Sequence, residues 1–301
     1  MARLQGVRLA LALVASTTAT LAAPPVHGAA SVTVDPPRDA RHPAANQQLL
    51  IRSNGSDMNA LLLRAQGPGP KPTLILLHGL PGNERNLDLA QAIRRTGWNV
   101  LTFTYRGAWG SQGEFSLASA IDDGTAALAF ARSAEAAKLG IDPRNIVIGG
   151  HSMGGGIAAL VAAGHPDVAG VLLLDAWNIG ATAHQLAAGG DKARRAFVAE
   201  ASDFGHALSG ATPQSIADEL AAHDGSWNIL STAEYLRATP VLSIAALHGG
   251  YEENRATTAA LKKHGNQRVT ALEIDSDHAF ADHRIAVAQA IASWLAGLAR
   301  R

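Results

Sequence analysis

The run Ile146-Val147-Ile148-Gly149-Gly150-His151-Ser152-Met153-Gly154-Gly155-Gly156 sets a β-branched stretch against Gly-x-Ser-x-Gly, followed by an alanine-rich tract reaching Ala163. The pattern predicts a buried strand over 145–148, a sharp turn at the serine and a helix of small residues beyond it. Glycines two before and two after the serine let strand and helix pass closely, and the hydroxyl is left exposed above a sheet. Ser152 is therefore the candidate nucleophile.

Strands and helices alternate on either side of this block. Strands are expected at 73–77, 98–103, 168–174, 241–246 and 268–274. Helices are expected at 87–96, 117–138, 153–163 and 254–264, with a final amphipathic one over 285–298. Such alternation implies a mostly parallel, doubly wound α/β sheet covered on both faces. Ahead of it, the segments 48–52 and 58–64 flank Asn54-Gly55-Ser56-Asp57, an Asn-Gly hairpin signal that predicts an antiparallel edge. Between about 178 and 239 the alternation stops. That alanine-rich stretch has helical patches at 191–199 and 213–222 and reads as an inserted helical cap. The core is thus expected at 47–177 and 240–301.

The first thirty residues differ from the rest. Arg3 and Arg8 precede the apolar run Leu9–Val14, small residues follow to Ala30, and no acid is present. This predicts a secretory signal peptide over 1–30, cleaved near Thr20/Ala22 or Gly28/Ala30, and export to the periplasm or medium without a stable membrane span. Residues 31–46, rich in Pro and small polar residues, are expected to be an exposed lead-in.

The 301 residues are 47% hydrophobic and 17% charged, enough for a large core. Basic and acidic side chains balance at 25 each, and no basic run is interleaved with aromatics, which argues against nucleic acid as a partner. The absence of cysteine excludes disulfides, a cysteine nucleophile and thiolate metal sites. The twelve histidines are scattered with no helical His-x-x-x-His pair, so no metal is expected.

A serine nucleophile needs a base, a carboxylate to orient it and N–H donors for the oxyanion. His278, in Asp275-Ser276-Asp277-His278-Ala279-Phe280, follows the last expected strand and is the candidate base. For the acid the leading candidate is Glu252, in Leu247-His248-Gly249-Gly250-Tyr251-Glu252-Glu253, with Glu253 and Asp175 as alternatives. Met153, directly after the nucleophile, and Leu80, in His78-Gly79-Leu80-Pro81-Gly82, are the expected oxyanion donors. Arg106 is expected to serve structure, and Trp109 and Phe115 either pack or line a pocket.

Together, His78-Gly79, Tyr105-Arg106-Gly107-Ala108-Trp109-Gly110-Ser111, Gly150–Gly154, His248-Gly249 and Asp277-His278-Ala279-Phe280 resemble the α/β-hydrolase superfamily over nearly all of 47–300. The Tyr-Arg-Gly block is similar to that of bacterial esterases and prolyl-oligopeptidase-like peptidases. The resemblance implies acyl transfer to water through a covalent acyl-enzyme, without cofactor. It also implies an aspartate after the seventh strand, where this chain has Glu252. A carboxylic ester is the expected substrate; a short peptide, or a noncatalytic binding role on the same fold, are the competing readings. The sequence leaves the oligomeric state open.

Overall fold

The computed structural model describes residues 32–201, 204 and 206–298. The expected signal peptide at 1–30 lies outside the described residues. The Asn-Gly hairpin forms as read: β1 (Ala45–Ser53) and β2 (Ser56–Arg64) pair antiparallel, with Asn54 and Gly55 at φ 42° and 85° in the turn. β1 starts two residues inside the stretch expected to be an exposed lead-in, because Ala45 and Asn46 pair with Arg64 and Leu63.

The remaining strands are β3 (Lys71–Leu77), β4 (Asn99–Phe103), β5 (Ile141–His151), β6 (Gly170–Leu174), β7 (Val241–His248) and β8 (Val269–Asp277). They form one sheet in the order β1-β2-β4-β3-β5-β6-β7-β8, parallel from β4 onward. This is the mostly parallel, doubly wound α/β sheet that the alternation implied. β4 and β6 are buried at every position, which explains why they read as continuous apolar runs rather than alternating ones.

One face packs on α2 (Leu117–Ala131) and α4 (Met153–Gly164), the other on α1 (Leu87–Arg95) and α8 (Arg284–Leu298). α7 (Tyr251–Lys263) lies against β7 and β8. The single helix expected over 117–138 is two. Ser133 adopts an extended conformation and its side chain accepts from the Ala136 N–H, so it caps a new helix, α3 (Ala134–Lys138).

Between β6 and β7 the chain leaves the sheet for α5 (Ile179–Glu200), α6 (Pro213–Ala222) and a 3-10 turn at Ile229–Glu234. Gly190 breaks α5 at φ 54°, ψ −147°. The two ends of this insertion clasp each other. Asn178 Nδ2 donates to Asn228 Oδ1 at 3.0 Å, and Ile229 N donates to Asn178 Oδ1 at 3.1 Å. No described helix is long and apolar enough to cross a membrane.

Candidate active site

Parallel strands end together, so the loops after β3, β5, β6, β7 and β8 meet at one edge of the sheet. Ser152 stands in the turn between β5 and α4 at φ 56°, ψ −123°, a region disfavoured for any residue with a Cβ. The flanking glycines are required there. A methyl on Gly150 would lie 2.5 Å from the Leu77 carbonyl oxygen, and one on Gly154 would lie 2.7 Å from that of His78. Ser152 N donates to Leu174 O at 3.0 Å, which pins the turn to the end of β6.

The residue after that strand end, Asp175, is fully buried and takes φ 40°. A carboxylate there must be fully hydrogen-bonded. Its Oδ1 accepts from Ala246 N at 3.0 Å and Asn254 Nδ2 at 3.3 Å; its Oδ2 accepts from Gly250 N at 2.7 Å and His278 Nδ1 at 2.5 Å. Burial alone would raise the Asp175 pKa, but His278 and the two backbone N–H groups hold it below the ordinary carboxylate value.

This pairing corrects the leading choice of acid. Glu252 lies in the exposed first turn of α7, where it complements the helix dipole and makes no hydrogen bond to His278. Glu253 is nearer. It is half-buried, burial raises its pKa, and its Oε2 accepts from Asn178 N at 2.9 Å, so it anchors the entry to the inserted helices. Asp175, the least favoured of the three carboxylates, is the one that meets the histidine. The available signal was its position: it directly follows the wholly apolar Gly170–Leu174 beside the elbow strand.

His278 follows β8 and reaches back over β7 to this edge. Its loop is anchored by Phe280, buried in the α8 cluster at φ 54°. A further contact was not anticipated from the sequence. His151, next to Ser152, is buried with its ring centroid 4.5 Å from that of His278, and its Nε2 contacts the His278 carbonyl at 2.7 Å. Because the partner is a carbonyl oxygen, Nε2 carries the proton. Burial, then the neighbouring His278, depresses the His151 pKa to about 4, so the ring is neutral near pH 7.

The His78–Gly82 loop lies against Ser152. A methyl on Gly79 would stand 3.1 Å from Ser152 Cβ. His78 Nδ1 donates to Gly79 O at 2.7 Å, Tyr105 Oη donates to His78 O at 3.1 Å, and Trp109 Nε1 donates to Pro81 O at 2.9 Å. The backbone N–H groups of Leu80 and Met153 donate to no protein acceptor among the described residues. Arg106 is structural, as expected: its Nε donates to buried Asp123 at 2.5 Å and its backbone N to the other carboxylate oxygen at 2.8 Å. Phe115 packs edge-on to Tyr105, whereas Trp109 is 43% exposed.

Comparison with known proteins agrees with the fold. Residues 72–280 match the model of a family described as having the alpha/beta hydrolase fold. The quorum-quenching protein AidA of Acinetobacter baumannii (strain MDR-ZJ06) is 33% identical over 136 residues, a match that covers 43% of each chain. The chain thus spans less than half the length of the curated relative it matches. Among solved structures, Est1E from Butyrivibrio proteoclasticus superposes with a TM-score of 0.63 at 16% identity, covering 84% of this chain and 99% of that one. An esterase from Pyrobaculum calidifontis gives 0.59 at 18% identity over 86% and 88%. Brefeldin A esterase gives 0.62 at 19% identity over 93% and 89%. At these identities the structural likenesses establish the fold.

Proposed function

The chain belongs to the alpha/beta hydrolase fold family, and from that premise we propose that it is a serine hydrolase that cleaves carboxylic esters through an acyl-enzyme on Ser152. His278 is the general base and Asp175 its orienting carboxylate. The observation that carries this reading is the 2.5 Å contact between His278 Nδ1 and the buried Asp175, on the same sheet edge as a serine at strained backbone angles.

With Nδ1–H committed to Asp175, Nε2 of His278 is the free base position. It takes the Ser152 hydroxyl proton as Oγ attacks the acyl carbon. The carbonyl π electrons move to oxygen, and the Met153 and Leu80 N–H groups receive that charge. Collapse of the tetrahedral adduct expels the alcohol, which takes the proton from His278. Water then repeats the sequence on the acyl-enzyme and returns Ser152. The ester preference is supported by the esterases among the structural neighbours.

The test is hydrolysis of p-nitrophenyl acetate and butyrate by the wild type and Ser152→Ala, with fluorophosphonate labelling of each. Turnover and labelling lost together in the variant support the reading. Turnover that survives in Ser152→Ala, or a wild type that neither turns over nor labels, rejects it.

A further inference from the structure

A cavity of about 590 Å³ is lined by His78 and Trp109 but by none of Ser152, Asp175 and His278. The His78–Gly82 loop therefore touches the nucleophile through Gly79 and this cleft through His78. Among the described residues, α1 begins only at Leu87 and leaves this part of the sheet face uncovered. Leu50 pairs with Asn59, and Leu61 pairs with Thr102, so these four side chains share the uncovered face by strand periodicity.

Two properties define what fits. Leu50, Leu87 and Trp109 are 58%, 39% and 43% exposed, and all three converge here. Large apolar side chains exposed singly are ordinary, whereas several gathered in one concavity mark a binding surface. The volume also falls in the range of roughly 300–1,000 Å³ typical of small-molecule sites. Arg85 is the one charged residue in the lining. It sits 5.7 Å from the Trp109 ring centroid and has no carboxylate partner among the described residues.

We propose that this cleft is a second ligand site, taking a single-chain carboxylate whose apolar body lies along Leu50, Leu61 and Leu87 and whose head meets Arg85. A guanidinium presents a planar fork that matches a carboxylate, and the Trp109 ring beside Arg85 lies against one face of that fork. The site stands independently of the esterase reading, because it uses no residue of the proposed triad.

The experiment is calorimetric titration of the full chain with decanoate, and with acetate and decanol as probes lacking tail or charge. Arg85→Glu and Leu50→Glu, both surface changes, are titrated beside the wild type after circular dichroism confirms their folding. The expected result is one decanoate per chain, weakened about tenfold or more by either substitution and by removal of either half of the probe, since one charge-assisted contact is worth that much. Decanoate binding that survives both substitutions lies elsewhere and overturns the proposal. So does decanol binding as well as decanoate, or no decanoate binding at all.

Discussion

Asp175 and Glu252 differ in what their carboxylates face, and this difference predicts opposite mutational outcomes. Asp175 is buried with four hydrogen-bond donors, one of them His278, so Asp175→Asn replaces an oxygen that accepts from Nδ1–H. The imidazole then loses the partner that fixes its tautomer. Ester turnover should fall by roughly 10³-fold to 10⁴-fold with binding little changed. Glu252→Gln changes an exposed side chain and should leave kcat within about twofold. Steady-state kinetics on both variants checks the pair, and equal losses would return Glu252 to the site. His151 holds the backbone of the proposed base through its Nε2 contact with the His278 carbonyl. Its replacement by Phe keeps a buried ring but removes the donor, which should lower kcat about tenfold while KM stays nearly constant. His151→Gln retains an N–H donor and should recover part of the loss. A purely packing role would make the two variants behave in the reverse order.

Asp123 of α2 joins three elements. It accepts from Ser53 Oγ of β1 at 2.6 Å and from Arg106, after β4, through both backbone and side chain. Burial raises its pKa, opposed by the Ser53 and Arg106 contacts. Asp123→Ala leaves the Arg106 guanidinium without its main partner and should cost about 3 kcal/mol in guanidinium-induced unfolding. A loss below about 1 kcal/mol would show that the junction is not a structural tie. Elements of this kind are legible one at a time, because strand, turn and helix signals are local. The elbow, the Asn-Gly hairpin and the parallel strands follow from such patterns. The break between α2 and α3 escapes them, since Ser133 acts by capping inside an otherwise good helical run. The proposed acid escapes them for a different reason. Asp175 and His278 are 103 residues apart, and their meeting depends on β6, β7 and β8 being laid side by side. In sequence, Glu252 follows β7 as the resemblance suggests an acid should. Only the strand order shows that Asp175, at the end of β6, faces the histidine and that Gly249 leaves it room to do so.

For the whole molecule, the functional edge sets the pH range of stability. The chain has no cysteine, so no disulfide contributes to its fold. At that edge His78 and His151 are both buried, and burial depresses the pKa of each from 6.5 to about 4. Between those values the unfolded chain binds protons that the folded chain refuses. Stability should therefore be full above about pH 6.5 and be lost as pH falls toward 4, by roughly 3 kcal/mol for each histidine. Asp175, with its lowered pKa, gives up its contribution only below the ordinary 3.8, outside this window. Asp123 and Glu253, raised by burial, take up protons earlier in the folded state and offset part of the loss. The clean measurement is thus a difference. Guanidinium unfolding at pH 7, 5.5 and 4.5 should show the wild type weakening with acid, and His151→Gln weakening by roughly 2–3 kcal/mol less over the same span. Parallel curves for the two proteins would mean that His151 takes up its proton in the folded state, and that the neutral ring proposed to steady His278 is charged instead.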